Sequence, residues 1–379
     1  MIPVCEPVLN GRETTYVQDC LETNWISSTG KYIGLFEEKF SAYCGVPYGV
    51  ACSSGTTAIH LALAALGIGP GDEVIIPDFT LIVSANMVIL AGARPVLVDV
   101  DPRTWCIDPK VIEEKITPRT KAIMAVHMYG HPCDMDVIMD IAGRHRLAVI
   151  EDCAEAHGAE INGRRVGAIG DVGCFSFYGN KILTTGEGGM AVCRDPRIAE
   201  RMQLLRNQGF QEPRFVHAVV AFNYRMTNVQ AAIGLAQTEM VEEKVRQKRW
   251  IGQTYNELLA SQTDLTLPYE EPWAKNVYWM YGVLINESFG VTKDQLMQEL
   301  RSKGVDTRSF FCPMSIQPVF QGEGSLYPDT SGNYPVSVDL WNRGLYLPSG
   351  LGLTRSQMEE VVDKLLECKR ESAVRTAIG

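Results

Sequence analysis

The sequence predicts an α/β protein: a large, mostly parallel sheet covered by helices on both faces, followed by a smaller α+β unit. Three observations predict it. Seven short runs rich in apolar residues, at 48–52, 73–76, 95–100, 121–127, 147–150, 173–178 and 189–193, are mostly separated by helical stretches. Strands that alternate with helices form parallel sheets buried on both faces. The composition then shifts at 240–250, within a long helical stretch 229–249, from small apolar residues (Ala231, Ala232, Ile233, Gly234) to charged ones. Finally, 379 residues at 46% hydrophobic content are enough for a large core. We therefore expect a large domain over 1–245 and a small α+β domain over 246–379.

The elements follow in order. A helix is expected over 12–23, then a polar turn at 24–30 that contains Trp25 and Ser28, then a helix over 36–43. The strand 48–52 leads through Ser53-Ser54-Gly55-Thr56-Thr57 into a helix over 58–66. Strand 73–76 precedes helix 81–90, strand 95–100 follows, and strand 121–127 precedes helix 135–145. Strand 147–150 ends in Glu151-Asp152. The apolar run 173–178 ends at Gly179-Asn180-Lys181, and Gly186, Gly188 and Gly189 permit tight turns before the strand 189–193. In the second unit 277–285 alternates like a strand, and Thr292-x-x-Gln295 and Thr354-x-x-Gln357 open two amphipathic helices as capping boxes.

Composition excludes several functions. A net charge of −10 argues against a nucleic-acid surface. Eleven cysteines with no Cys-x-x-Cys pair, several inside apolar runs, read as buried free thiols in a reducing compartment. No secretory signal opens the chain, and no apolar run reaches the roughly 18 residues of a membrane span. A cytoplasmic protein without membrane or nucleic-acid partners is expected.

The candidate chemistry lies at strand ends, where parallel sheets bind ligands. Ser54, Asp152 and Lys181 all occupy such ends. The segment 53–57, at a helix N-terminus, suits an anion such as phosphate, and equally suits a helix cap. Asp152 either caps the next turn or meets a ligand, and His157 reads as a structural histidine or a site residue. Asp152, Glu155 and His157 carry ligand chemistry, but no second His or Cys stands at a usual metal spacing, so no metal is expected. Lys181 reads alone as a surface charge. Delivered into a partly dry pocket, its amine can lose a proton and form a Schiff base with a carbonyl.

Taken in order and spacing, these pieces resemble the DegT/DnrJ/EryC1/StrS sugar-nucleotide aminotransferases of the fold type I pyridoxal 5′-phosphate (PLP) group. The resemblance rests on Ser53-Ser54-Gly55-Thr56-Thr57-Ala58, Glu151-Asp152, Phe175-Ser176-Phe177-Tyr178-Gly179-Asn180-Lys181, Gly186-Glu187-Gly188-Gly189 and 223–228 (Asn-Tyr-Arg-Met-Thr-Asn), and spans nearly the whole chain. It implies that Lys181 carries PLP and shuttles the proton, while Asp152 pairs with the pyridine nitrogen. By the same resemblance Ser54, Gly55, Thr56 and Ser176 would bind the phosphate, Leu81 would cover the ring, and Glu155 would approach the ring 3-oxygen. Asn223 would reach the cofactor phosphate of a second subunit, so a homodimer with shared sites is implied. Trp25, Ser28, His157, Arg308, Phe310 and Phe311 would face a nucleotide-sugar. The implied reaction aminates a nucleotide-linked 4-keto-6-deoxy sugar with L-glutamate as donor, a GDP-linked sugar first and a dTDP- or UDP-linked one otherwise. A catalytically silent PLP- or sugar-nucleotide-binding homologue and a small-molecule PLP enzyme are the rival readings. Relatives often carry an aromatic residue at Leu81, Gln at Glu155 and His at Ser315.

Overall fold

The computed structural model describes residues 1–213, 215–322 and 326–378. One seven-stranded sheet runs in the order Tyr48–Cys52, Gly189–Cys193, Val172–Ser176, Ala148–Asp152, Thr120–Val126, Glu73–Pro77, Arg94–Val98. All neighbours are parallel except Gly189–Cys193, which is antiparallel to both of its partners. The expected mostly parallel α/β architecture is present, and three of its inner strands, Glu73–Pro77, Val172–Ser176 and Gly189–Cys193, are buried along their whole length. A second, antiparallel sheet orders Leu265–Thr266, Tyr281–Ile285, Gly344–Leu347 and Arg308–Ser309. Its core joins Val283 and Leu345 to Tyr255, Leu296, Leu300, Met358 and Val361 from three helices.

Three elements differ from the sequence expectation, two of them for a tertiary reason. The second helix starts at Lys31, five residues early. Asn228, from a distant helix, accepts the Tyr32 amide at 3.0 Å in place of a local cap. Gly30 permits this approach: at φ +148°, a Cβ there would lie 2.3 Å from the Asn228 side chain. The long helix expected over 229–249 is two helices, Asn228–Glu239 and Val241–Leu259, broken at Met240 (φ −105°, ψ 7°). The strand expected over 277–285 begins only at Tyr281. The Val277 amide is drawn away to Gly130 O and the Tyr278 amide to Asn276 Oδ1, with Tyr278 at φ +49°. Residues 277–280 therefore leave the sheet and run towards Lys181.

Candidate active site

The anion cradle comes from two strand ends pressed together. Ser54 caps the helix Gly55–Ala65: its Oγ accepts the Thr57 amide at 3.1 Å, and its own amide donates to Thr57 Oγ1 at 3.0 Å. Among the described residues no hydrogen bond takes the Gly55 or Thr56 amides, so both are free for an anion on the positive end of the helix dipole. Gly55 is required there, since a Cβ would lie 2.6 Å from that of Ser176. Gly189 is required equally, because a Cβ would meet Ser54 O at 2.1 Å. The two glycines bring Ser176 against the helix N-terminus. The Ser54 hydroxyl is committed to its own helix, whereas Ser176 Oγ has only a long 3.4 Å contact from the Tyr178 amide.

The acid–base groups surround Lys181. Tight turns hold its loop: the Phe177 amide donates to Gly188 O, the Thr185 amide to Phe177 O, and Gly186 stands at φ +80°. The residue is half-buried. Burial lowers the pKa of its amine, while Glu155 and Asp152 act in the opposite sense. Asp152 is 4% exposed and, among the described residues, accepts only the Ala154 amide, on Oδ1 at 3.1 Å. Burial raises its pKa despite Lys181. A buried carboxylate with one oxygen unpartnered suits a cationic ring nitrogen. Glu155 accepts the Tyr129 amide at 2.7 Å, and burial pushes its pKa up to about 7. Free helix amides, a lone buried carboxylate and a nearby lysine fit PLP.

The other expected site residues lie at or near the surface. Leu81 is 46% exposed, just after Asp78, Phe79 and Thr80 at the end of a strand. Trp25 is 56% exposed and Ser28 half-buried in the early turn. Asn223 is exposed, and its Oδ1 accepts Arg225 Nε at 2.9 Å. Arg308 is exposed and pairs with Asp306 at 2.7 Å, and Phe311 is half-buried.

Two substrate-facing expectations are corrected. Phe310 is 1% exposed, and its ring fills slots left by Gly282 and Gly344, whose added Cβ atoms would lie 2.6 and 2.1 Å from it. Replacing it with alanine should lower stability by about 3–5 kcal/mol in denaturant unfolding; a loss below 1 kcal/mol would contradict its core role. His157 is 0% exposed and enclosed by Phe40, Phe175 and Phe177. Burial pushes its pKa down to about 3, so it is a neutral core ring that no substrate reaches.

Sequence reasoning missed a polar platform beneath the site. Glu151 accepts the amides of Gly167, Ile169 and Gly170 at 2.7–2.9 Å and pairs with His127 Nε2 at 3.2 Å. His127 Nδ1 accepts the Cys133 amide. Burial alone would raise the Glu151 pKa, but His127 and these amides hold it below the usual range. His127, Glu151 and Cys153 bring potential ligand atoms within 4.8 Å, yet protein donors already occupy the first two and burial raises the Cys153 pKa. Tyr129 was also missed. At φ +51° it sends its amide to Glu155, and its hydroxyl accepts the Phe311 amide at 3.2 Å. An acidic residue next to Asp152 and a Tyr-Gly pair after a strand were the only signals for these residues.

Comparison with known proteins identifies the family. The DegT/DnrJ/EryC1/StrS aminotransferase family pattern matches residues 7–366. A GDP-perosamine synthase of Caulobacter vibrioides is 48% identical over 366 residues, covering 96% of this chain and 97% of that protein. A GDP-perosamine synthase of Escherichia coli O157:H7 is 42% identical, covering 97% and 98%. Among solved structures, DesV of S. venezuelae in complex with a ketimine intermediate superposes with a TM-score of 0.88 at 35% identity over 94% of both chains. A 3-amino-5-hydroxybenzoic acid synthase superposes with 0.90 at 27% identity, covering 98% and 99%.

Proposed function

The chain belongs to the DegT/DnrJ/EryC1/StrS aminotransferase family, whose members depend on PLP, and from that premise we propose that it transfers the amino group of L-glutamate to the C4 ketone of GDP-4-keto-6-deoxymannose, giving GDP-perosamine. The observation that carries the substrate is 48% identity over 97% of a GDP-perosamine synthase.

Bound PLP supplies a carbonyl that carries the amino group and a ring that accepts electron density. The chain's own groups do the rest. The Gly55 and Thr56 amides and Ser176 Oγ would hold the phosphate. Asp152 would keep a proton on the ring nitrogen, and Glu155, fixed by the Tyr129 amide, would serve the ring 3-oxygen. The Lys181 amine takes a proton from the donor carbon and returns one to the sugar carbon in the second half-reaction. Leu81 would cover the ring, and Arg308, Phe311, Trp25 and Ser28 would line the approach of the nucleotide-sugar. We place the domain division at 1–245 and 246–379, supported by a second sheet drawn wholly from residues after 264. The first residues are an exception, since Ile2 bridges to Val305. Among the described residues no helix is long and apolar enough to cross a membrane, and we assign the protein to the cytoplasm.

The test is a panel of GDP-, dTDP- and UDP-linked 4-keto-6-deoxy sugars assayed with glutamate, with mass spectrometry of the products. Amination of the GDP-linked sugar well above the others is expected; preference for a dTDP or UDP sugar overturns the substrate assignment. We further propose a homodimer in which Asn223 completes the partner's phosphate site. Asn223→Ala should release PLP faster on dialysis. Mixing it with Lys181→Ala subunits should restore up to about one quarter of wild-type activity, because mixed dimers keep one intact site. No restoration after demonstrated subunit exchange would remove the shared site.

A further inference from the structure

Trp279 holds Lys181 in two ways. Its indole Nε1–H donates to Asn180 O, the carbonyl immediately before Lys181, at 2.8 Å. Its ring face carries Lys181 Nζ, 3.6 Å from the ring centroid. The indole is itself rigid. It is 3% exposed, and Tyr129 stacks on it with centroids 6.2 Å apart and planes 28° apart. The backbone bend that presents it is packed against Gly130, where an added Cβ would lie 2.8 Å from the Trp279 nitrogen.

An indole face attracts an ammonium and not a neutral amine, and the attraction grows where water is excluded. The other groups facing this amine are Asp152 and Glu155 from the strand end and following turn, His157 beyond them, and Cys5 of the N-terminal segment. His157 is neutral, and Asp152 and Glu155 are the groups that a bound PLP ring would engage. Among the described residues, the Trp279 face and Cys5 are the contacts that the ring does not claim, and burial raises the Cys5 thiol pKa, which leaves the indole face as the group suited to an ammonium. We infer that Trp279 is a positioning residue for the transamination, whose indole face docks the Lys181 ammonium whenever that lysine is not joined to the cofactor. The docked amine keeps its proton beside the reacting carbon and is returned, still placed, for reattachment. This inference rests on the PLP reading above.

Fluorinated tryptophans, installed only at 279 by nonsense suppression in the full-length chain, weaken the ring face while nearly preserving its shape. The readout is the pH profile of the rate at which the cofactor-free chain captures PLP, followed by absorbance. Borohydride reduction and peptide mapping locate the attachment. Capture needs the neutral amine, so losing a contact with the ammonium moves the midpoint to lower pH. The midpoint should fall steadily with each added fluorine, to about tenfold lower proton affinity in the most fluorinated protein. Trp279→Leu, which has no π face, should shift it in the same direction, whereas Trp279→Phe should retain part of the effect. A midpoint indifferent to fluorination, with label on Lys181, overturns the docking role and leaves the aminotransferase reading standing. Label absent from Lys181 in the unsubstituted chain overturns both.

Discussion

Lys181→Ala is expected to lower turnover with glutamate and nucleotide-sugar by at least about 10⁴-fold, with the fold intact. The size follows from removing the proton carrier and the covalent anchor together. Among the described residues no neighbouring amine can substitute: the buried Lys248 is committed to Ser349 O. The stability effect should be small, because the lysine forms no ion pair among the described residues and its burial already disfavours the charge. Thermal unfolding by circular dichroism should therefore move by less than about 1 kcal/mol. Wild-type turnover in this variant, confirmed by mass, would remove Lys181 from the mechanism.

Asp152→Asn should separate catalysis from stability. The amide oxygen can still accept the Ala154 amide, so local shape persists. It cannot hold a proton on a ring nitrogen by charge, and a fall in kcat of roughly 10²–10³-fold is expected, of the order seen when a single electrostatic partner is lost. In the cofactor-free chain the sign reverses. Burial raises the Asp152 pKa above the ordinary aspartate value, so the folded chain holds this proton more tightly than the unfolded chain. Its contribution to stability is therefore greatest below the ordinary aspartate pKa and is lost as pH rises through the raised folded value. Asp152→Asn should flatten that loss, leaving the cofactor-free variant relatively more stable at neutral pH than at acid pH. Equal unfolding profiles for both proteins from pH 4 to 8 would show that Asp152 is not the buried, poorly solvated group described here.

The legibility of the site differed from residue to residue. The positions of Lys181, Asp152 and Gly55 at or just beyond strand ends were readable, because strand ends are visible as the edges of apolar runs. Phe310 and His157 were misread because an aromatic or histidine looks the same whether it faces a cleft or the core. Glycines at 282 and 344, on other strands, open the slot that takes Phe310 inward. Trp279 was hidden inside a run that alternates like a strand. The pull of Gly130 O on the Val277 amide and of Asn276 Oδ1 on the Tyr278 amide turns it out of the sheet.

From the sequence alone came the α/β class, the seven strands, the family resemblance and the lysine, because apolar periodicity and turn chemistry are local and repeat along the chain. Tertiary structure alone decided which side chains surround the amine: the Trp279 face, the Tyr129 amide on Glu155 and the inward turns of Phe310 and His157. Those outcomes depend on backbone groups and missing Cβ atoms tens to hundreds of residues away, and no local pattern encodes which distant carbonyl will claim an amide.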